Sequence, residues 1–442
     1  MKKSKVILLL ICMVCMLMAA CGDKPAEESS SSSLPESSAE PTPESTPEPT
    51  EEPTPEPTEE PSSEAPVDKP ESGPLSDDIY SFQVQIFGDV YQLPMTYEQF
   101  TAFGWTAKDD PADTLDSNRY TLFRFEKNGY VVTADVVNFD INAIEISACY
   151  VTALMLESYG LPDAAAVTVP GGAVLQKSTV KEVKELYGTP SYENETDRGS
   201  VTIKYQKDSY QVCEFVFFPE TEGMNTDDIV LSKIDVENTV KPEDFVAGEV
   251  STEVPAIVSK YEAPKEIGAE FGSWTTKYAG TVYQLPAPVS VFEADGWKID
   301  EDGTEATVAG RSSGWVQMRK DNQKLRVIAT NYTSSATAIN NCFITKLHTD
   351  QLDCKVDMEI PMGIKTGMTE ADFVKIFDSA EAKKKGLEKF EKKEESDLFA
   401  YYEISPEGSL VDTYEIVISK EDSMIYKIEM EYSPKFADFA EE

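Results

Sequence analysis

The sequence predicts an α+β fold: two homologous tandem domains of antiparallel sheet with short helices, preceded by a signal peptide and a disordered spacer. Three observations carry this expectation. The first 20 residues join a basic start to a short apolar run. Residues 21–77 hold almost no large apolar side chain. Beyond them, a motif of nine matched positions occurs twice in one frame, 192 residues apart.

The start reads as an export signal. Lys2, Lys3 and Lys5 form a charged opening, Val6–Met18 is apolar, and Ala19-Ala20 precede Cys21. That order of charged, apolar and small residues is the secretory pattern. The apolar run is too short for a permanent spanning helix, which needs roughly 20 residues. Leu17-Met18-Ala19-Ala20-Cys21 resembles the bacterial lipobox, with Met18 where leucine is usual. The resemblance implies cleavage before Cys21 and lipid attachment to Cys21. It also implies a mature chain anchored at the extracytoplasmic face of the membrane, as in Gram-positive surface lipoproteins.

Between Gly22 and Leu75 the only large aliphatic residues are Leu34 and Val67. Ser29–Ser33 is a serine run, and a Pro/Thr/Glu tract extends from Glu40 to Pro61. Such a segment cannot bury enough apolar surface to offset chain entropy, so residues 21–77 are expected to be a disordered acidic spacer. Prolines favour the extended polyproline form and glutamates repel one another, which stiffens it.

The full chain has a net charge of −41. Residues 1–21 contribute +3 and residues 22–75 contribute −13, which leaves −31 on 76–442. So acidic a body argues against nucleic-acid partners and against electrostatic adhesion to anionic lipid, both of which require basic patches. The expected membrane contact runs through the N-terminal lipid alone.

The repeat sets the domain plan. Gly88-Asp-Val-Tyr-Gln-Leu-Pro94 recurs as Gly280-Thr-Val-Tyr-Gln-Leu-Pro286, followed by Phe100/Phe292 and Gly104-Trp105/Gly296-Trp297. Asn138-Phe139 through Cys149-Tyr150 matches Asn331-Tyr332 through Cys342-Phe343, and helix starts at Thr179 and Thr369 correspond. A period this long is that of homologous domains, each large enough for its own core. The expected boundaries are domain one at 78–238, a linker at 239–269, domain two at 270–434 and an acidic tail at 435–442.

Within each copy, Ser81–Phe87 and Val90–Leu93 read as a hairpin meeting at Gly88-Asp89, and Trp274–Tyr278 with Val282–Leu285 as its counterpart. Thr96-x-x-Gln99 and Ser290-x-x-Glu293 have capping-box spacing, with Gly104 and Gly296 as helix stops. Strand pairs are expected at Tyr120–Glu126 with Tyr130–Val137, and at Trp315–Arg319 with Lys324–Thr330. Further strands are expected at Ile144–Leu156 and Asn341–Leu347. A helix at Thr179, stopped by Gly188-Thr-Pro190, should lead into strands Val201–Tyr205, Gln211–Phe218 and Ile229–Val236. The second copy should match it with a helix at Thr369 and strands Leu398–Glu403, Thr413–Ile418 and Met424–Glu431. This helix-then-three-strands piece, with Gly363-Ile-Lys-Thr-Gly-Met-Thr369, resembles the small α+β module of SmpA/BamE outer-membrane assembly lipoproteins and the β-lactamase inhibitor protein fold. Copy one departs from it, with Gln176-Lys177-Ser178-Thr179 in place of Gly-Met-Thr.

Chemistry-bearing motifs are sparse. His348 is the sole histidine, which removes Ser-His-Asp, Cys-His and HExxH arrangements; it reads as a surface residue. Cys149 and Cys342 stand at equivalent places, Cys213 and Cys354 do not, and no CxxC occurs. Buried thiols are the expectation, with Cys342–Cys354 or Cys149–Cys213 the pairs a disulfide would use. Asp109, Asp110, Asp113 and Asp116, like Asp300, Glu301 and Asp302, read as solvated acidic loops without the calcium-loop pattern. Trp105 and Trp297, with Tyr91 and Tyr283, read as core. Lys383, Lys384, Lys385, Lys389, Lys392 and Lys393 form one basic cluster, expected as a solvated helix or loop in an insertion that copy one lacks. No catalytic set, metal set or cofactor motif is predicted, and Cys21 is the one site residue. The function expected is binding or scaffolding toward an envelope protein or peptide. The alternatives are a cell-wall hydrolase using paired carboxylates and an inhibitor-like module.

Overall fold

Each copy of the repeated motif opens with a two-residue hairpin. Ile86 pairs with Asp89 and Tyr278 with Thr281, while Phe87-Gly88 and Ala279-Gly280 all have positive φ. Two successive left-handed residues make a type I′ turn, whose twist suits the flanking strands. The first turn is therefore Phe87-Gly88, one residue earlier than expected. The strands are short, Gln83–Ile86 and Thr275–Tyr278, because Phe82 and Trp274 leave the extended region at the end of a 3-10 turn.

A computed structural model of the chain describes residues 73–162, 166–350, 354–377, 379, 389–406 and 411–439. All of these described residues belong to one compact unit. The signal, Cys21, nearly all of the spacer, Lys383–Lys385 and the last three residues of the acidic tail lie outside the described residues.

The fold is dominated by antiparallel sheet with a few short helices. In the first half, a nine-stranded sheet runs in the order Tyr192–Glu195, Val201–Asp208, Gln211–Phe217, Leu231–Asn238, Tyr150–Glu157, Tyr130–Val137, Tyr120–Lys127 and Thr106–Ala107, with Met95–Thr96 added beside Tyr150–Glu157. In the second half, the matching strands split into two five-stranded sheets. The split falls at Thr345, between Phe343–Ile344 and Lys346–Thr349. The equivalent place in the first half is a bulge between Asp135 and Val136, where the register skips the buried Thr152. The expected strands at Ile144–Leu156 and Asn341–Leu347 are thus interrupted; a 3-10 turn also stands at Ile146–Ala148 and another at Ile339–Asn341.

Helices Tyr97–Ala102 and Val180–Tyr187 start on full capping boxes, from Thr96 with Gln99 and from Thr179 with Glu182. The second copy departs from its expected box. Helix Val289–Ala294 takes Pro288 as N-cap, so Ser290 lies inside it and caps nothing. Its first N–H is met instead by the Cys342 carbonyl at 2.9 Å, as Tyr97 N–H is by Cys149. At Glu370–Phe377 the Thr369 hydroxyl accepts from the Asp372 N–H at 3.2 Å.

One correction concerns the basic cluster. Lys389, Lys392 and Lys393 belong to strand Lys389–Glu395, paired with Phe399–Ser405. This edge strand occupies the place of Tyr192–Glu195 in the first half, an element with no expected counterpart in the sequence reading. The extra length of the second copy therefore lies before Lys389.

The helices and small hairpin sheets cover one face of the long sheets, and the apolar side chains collect there. One hydrophobic cluster spans Ile79–Val236 and another Phe271–Met430. Trp105 and Trp297 sit inside them, 3% and 1% exposed. Trp105 stacks on Phe100 at 5.4 Å, and its Nε1 donates to the Tyr91 hydroxyl at 2.9 Å. Trp297 lies against Tyr278 at 5.9 Å, while Tyr283 stacks on Phe292 at 4.2 Å.

Two buried asparagines fix the loops at one end of each half. Asn138 Nδ2 donates to the carbonyls of Leu115, Asp116 and Asn142, and Asn331 Nδ2 to those of Val308, Ala309 and Ser335. The two loops so shaped meet each other. Ala143 N–H donates to Ser334 O at 2.7 Å, Gly310 N–H to Ile141 O at 2.7 Å, and Ala336 N–H to Asn142 Oδ1 at 2.7 Å. A side chain at Gly310 would stand 1.9 Å from Ser334 O, which is why glycine is needed. The connecting segment is stitched to both halves, by Gly248 N–H to Asp140 Oδ2 and by Ser251 N–H to Ala336 O, both at 2.7 Å.

Candidate functional site

The acidic loops singled out in the sequence are occupied locally. Asp109 binds the Arg124 guanidinium, and Asp300 binds Arg319 at 2.5 Å and Gln317 at 2.6 Å. Hydrogen bonds from these arginines hold both carboxyls below the usual range. Among the described residues, no group of three or more His, Cys, Asp or Glu side chains is placed to hold a metal ion. Cys149, Cys213 and Cys342 are free, buried thiols, and Cys354 is buried with its Sγ 3.0 Å from the Tyr278 hydroxyl. Burial pushes the thiols of Cys149 and Cys342 up to about 12, so neither is a thiolate nucleophile at neutral pH.

His348 is half-buried rather than a freely exposed surface residue. It lies on strand Lys346–Thr349 directly opposite Glu429, and burial lowers its basicity. This position leads to the feature that the sequence reading missed: the outer face of the long sheets, opposite the helices. Strand Leu231–Asn238 presents Lys233, Asp235 and Glu237 there, and strand Met424–Glu431 presents Lys427, Glu429 and Glu431. The signal was available as a second repeat, Lys233-Ile-Asp-Val-Glu237 against Lys427-Ile-Glu-Met-Glu431. Its charged residues alternate with core residues, so period two sends them to the outer face.

In the second half these charges form a continuous ladder. Lys346 Nζ lies 2.5 Å from Glu429 and 3.0 Å from Glu431; Lys427 Nζ lies 2.8 Å from Glu429 and 2.9 Å from Glu415. Burial works against the Glu429 charge, but bonds from Lys346 and Lys427 prevail and hold its carboxyl below the ordinary value. In the first half the position of Lys346 is taken by Ala153, since Glu237 pairs with Ala153 as Glu431 pairs with Lys346. Asp135, on the other side of Ala153, adds a third acid where the second half has Ile328. Lys233 reaches Asp235 Oδ2 at 2.8 Å, and Lys204 engages Glu214. Asp135 Oδ1 and Asp235 Oδ1 are buried without a hydrogen-bond partner. Burial raises the pKa of Asp135, Asp235 and Glu237. At Asp235 Lys233 opposes the rise, and at Glu237 the neighbouring Asp135 and Asp235 add to it.

The same face carries exposed apolar residues. Leu122 is 58% exposed and its counterpart Trp315 is 45% exposed, with the Arg326 guanidinium 4.7 Å from the Trp315 ring. A groove of about 340 Å³ beside Trp315's cross-strand partner Ile328 is lined by Ile328, Lys346, Glu431, Pro434 and Phe436. A second, of about 390 Å³, lies between Tyr261, Leu285, Pro286, Phe343 and Phe439. No family model matches this chain, and no curated protein or solved structure matches it.

Proposed function

We propose that the chain is a lipid-anchored extracytoplasmic binding protein, held to the membrane through Cys21 and set off from it by the acidic spacer. Its two motif-bearing halves are homologous tandem domains that present their outer sheet faces to an envelope protein or peptide. The observation that carries this reading is the repeated outward row, Lys-x-acid-x-acid, beside exposed Leu122 and Trp315. Outward charged and apolar residues with no covering element among the described residues fit recognition of another surface. The acids of the first half lie side by side on neighbouring strands of one sheet face, an arrangement that favours binding over hydrolysis by paired carboxylates.

The test places a photo-crosslinking residue at Leu122 or Trp315 of the full chain in its native envelope. A discrete crosslinked partner, lost on Leu122→Asp with Trp315→Asp, supports the reading. Crosslinking from these faces no different from that of an exposed turn position such as Tyr210 refutes it.

A further inference from the structure

We infer that the split between the two long sheets of the second half is a two-state switch. The Tyr278 hydroxyl holds it open, and its closed state is the continuous sheet of the first half. The switch needs no partner, so it stands or falls apart from the recognition reading.

The closed state has an internal template. In the first half, Tyr130–Val137 pairs with Tyr150–Glu157 at Thr133 with Met155, Ala134 with Leu154 and Asp135 with Ala153. The same steps in the second half are Arg326 with His348, Val327 with Leu347 and Ile328 with Lys346. Strands Gln323–Thr330 and Lys346–Thr349 are neighbours there, but they belong to different sheets and none of these steps is paired. Main-chain direction shows what is left unmade. Tyr432 N–H donates to Thr345 O, so Leu347 exchanges ladder bonds with Met430, while Lys346 and His348 turn their N–H and C=O groups the other way. By the same alternation, the bond from Asn331 N–H to Ser312 O turns Arg326 and Ile328 toward them.

Tyr278 has taken one of these groups. Its hydroxyl donates to His348 O at 2.8 Å, with Cys354 Sγ 3.0 Å away. In the first half Ile86 holds the same hairpin position, and isoleucine has no hydroxyl to compete for a ladder carbonyl. The Tyr278 ring also lies against Trp297 at 5.9 Å. Trp297 Nε1 and the Tyr283 hydroxyl are buried without a hydrogen-bond partner, although their counterparts Trp105 and Tyr91 bond each other at 2.9 Å. Buried bonds left unmade cost free energy. The second half lacks first-half bonds at two places, and Tyr278 touches both.

Closure exchanges the Tyr278–His348 bond for ladder bonds at Arg326 and Ile328 and lets Trp297 meet Tyr283, while the Tyr278 hydroxyl keeps Cys354 Sγ. Two packings of one core that differ by a few bonds make a bistable element. The groove of about 340 Å³ lies at this split, with Ile328, Thr345 and Lys346 among its walls. Pairing Ile328 with Lys346 draws two of those walls together. Closure therefore removes the groove, and any occupant of the groove favours the open state.

Amide exchange of the full chain, followed by NMR, tests this. In the wild type, the amides of Arg326 and His348 should exchange about a hundredfold faster than those of Thr133 and Met155. Tyr278→Phe keeps the ring and removes only the hydroxyl. It should slow both amides about tenfold and bring up an Hα–Hα contact between Val327 and Leu347 like that between Ala134 and Leu154. Cys354→Ser offers the Tyr278 hydroxyl a stronger acceptor and should slow the same amides, which decides the matter if Tyr278→Phe does not fold. Wild-type amides at Arg326 and His348 as slow as those at Thr133 and Met155 overturn the open state. Exchange unchanged in Tyr278→Phe, or in Cys354→Ser if only that variant folds, overturns the switch. Slowing shared equally by Val316 means general stabilisation and overturns it as well.

Discussion

Replacing Ala153 with lysine should stabilise the chain, and do so in a pH-dependent way. The second half shows that a lysine stem fits at this register, with Lys346 a third exposed and bonded to two glutamates. Each partly exposed ion pair contributes about 0.3–1 kcal/mol. Up to three new pairs, set against about 1 kcal/mol for ordering the lysine, give a net gain on the order of 1 kcal/mol. For a single folded body of roughly 365 residues that is a rise of about 1 °C in Tm. In the wild type, Asp135, Asp235 and Glu237 have folded-state pKa values above their unfolded values. The folded state thus holds more protons than the unfolded state between about pH 4 and the raised values, and wild-type stability falls as pH rises through that window. The groups around Ala153 are Asp135 from one side, Met155 and Glu157 from its own strand, and Lys233, Asp235 and Glu237 from the other, with Lys204 and Glu214 beyond. Lysine at 153 should lower the acid pKa values and flatten the fall, so the gain over wild type is largest near neutrality and shrinks toward pH 4. Urea unfolding of both proteins at several pH values measures this. An Ala153→Lys protein no more stable at pH 7 than wild type, or one whose advantage grows on acidification, would refute the reasoning.

Trp105→Ala and Trp297→Ala should each cost about 3–5 kcal/mol, as for a ring removed from a packed core, and iodide should quench neither native indole. Gly310→Ala should drive a methyl into the Ser334 carbonyl and loosen the seam between the halves. Amide exchange at Ala143 and Ala336 should then accelerate, with the core amides of Val132 and Val327 unchanged. Cys21→Ser should release the chain from the membrane fraction or leave its precursor unprocessed; normal processing with full membrane retention would end the lipid-anchor proposal.

Much of the sheet framework was legible because local chemistry and tertiary packing agree there. The turn at Asn128-Gly129, both at positive φ between the paired Lys127 and Tyr130, the boxes at Thr96 and Thr179, and the alternation along Tyr130–Val137 each point one way. The failures have physical causes. Ser290-x-x-Glu293 has the right spacing, but Pro288 sets the extended cap one step ahead and Cys342 satisfies the first N–H, which leaves Ser290 no work. Lys389–Glu395 looked like a solvated helix or loop because its charges hide a strand whose support comes from hydrogen bonds to Phe399–Ser405. The candidate site was illegible for another reason. Its residues are ordinary surface acids one at a time; the offset that matches Cys149 to Cys342 also sets Ala153 against Lys346, but only the register between distant strands brings Asp135, Ala153 and Glu237 side by side.

The seam between Ile141–Ala143 and Ser334–Ala336 turns a pair of surfaces into a ruler. Were the halves joined by loose chain alone, a second contact on a bivalent partner would be governed by polymer statistics and would tolerate many spacings. Main-chain hydrogen bonds at 2.7 Å, reinforced by a connecting segment tied at Gly248 and Ser251, remove that tolerance. A partner whose two epitopes match the fixed interval gains without the entropy of closing a loop, and one that is off by a few ångströms gains nothing from the second contact. Under the recognition proposal, selectivity of this kind is encoded in the joint between the halves.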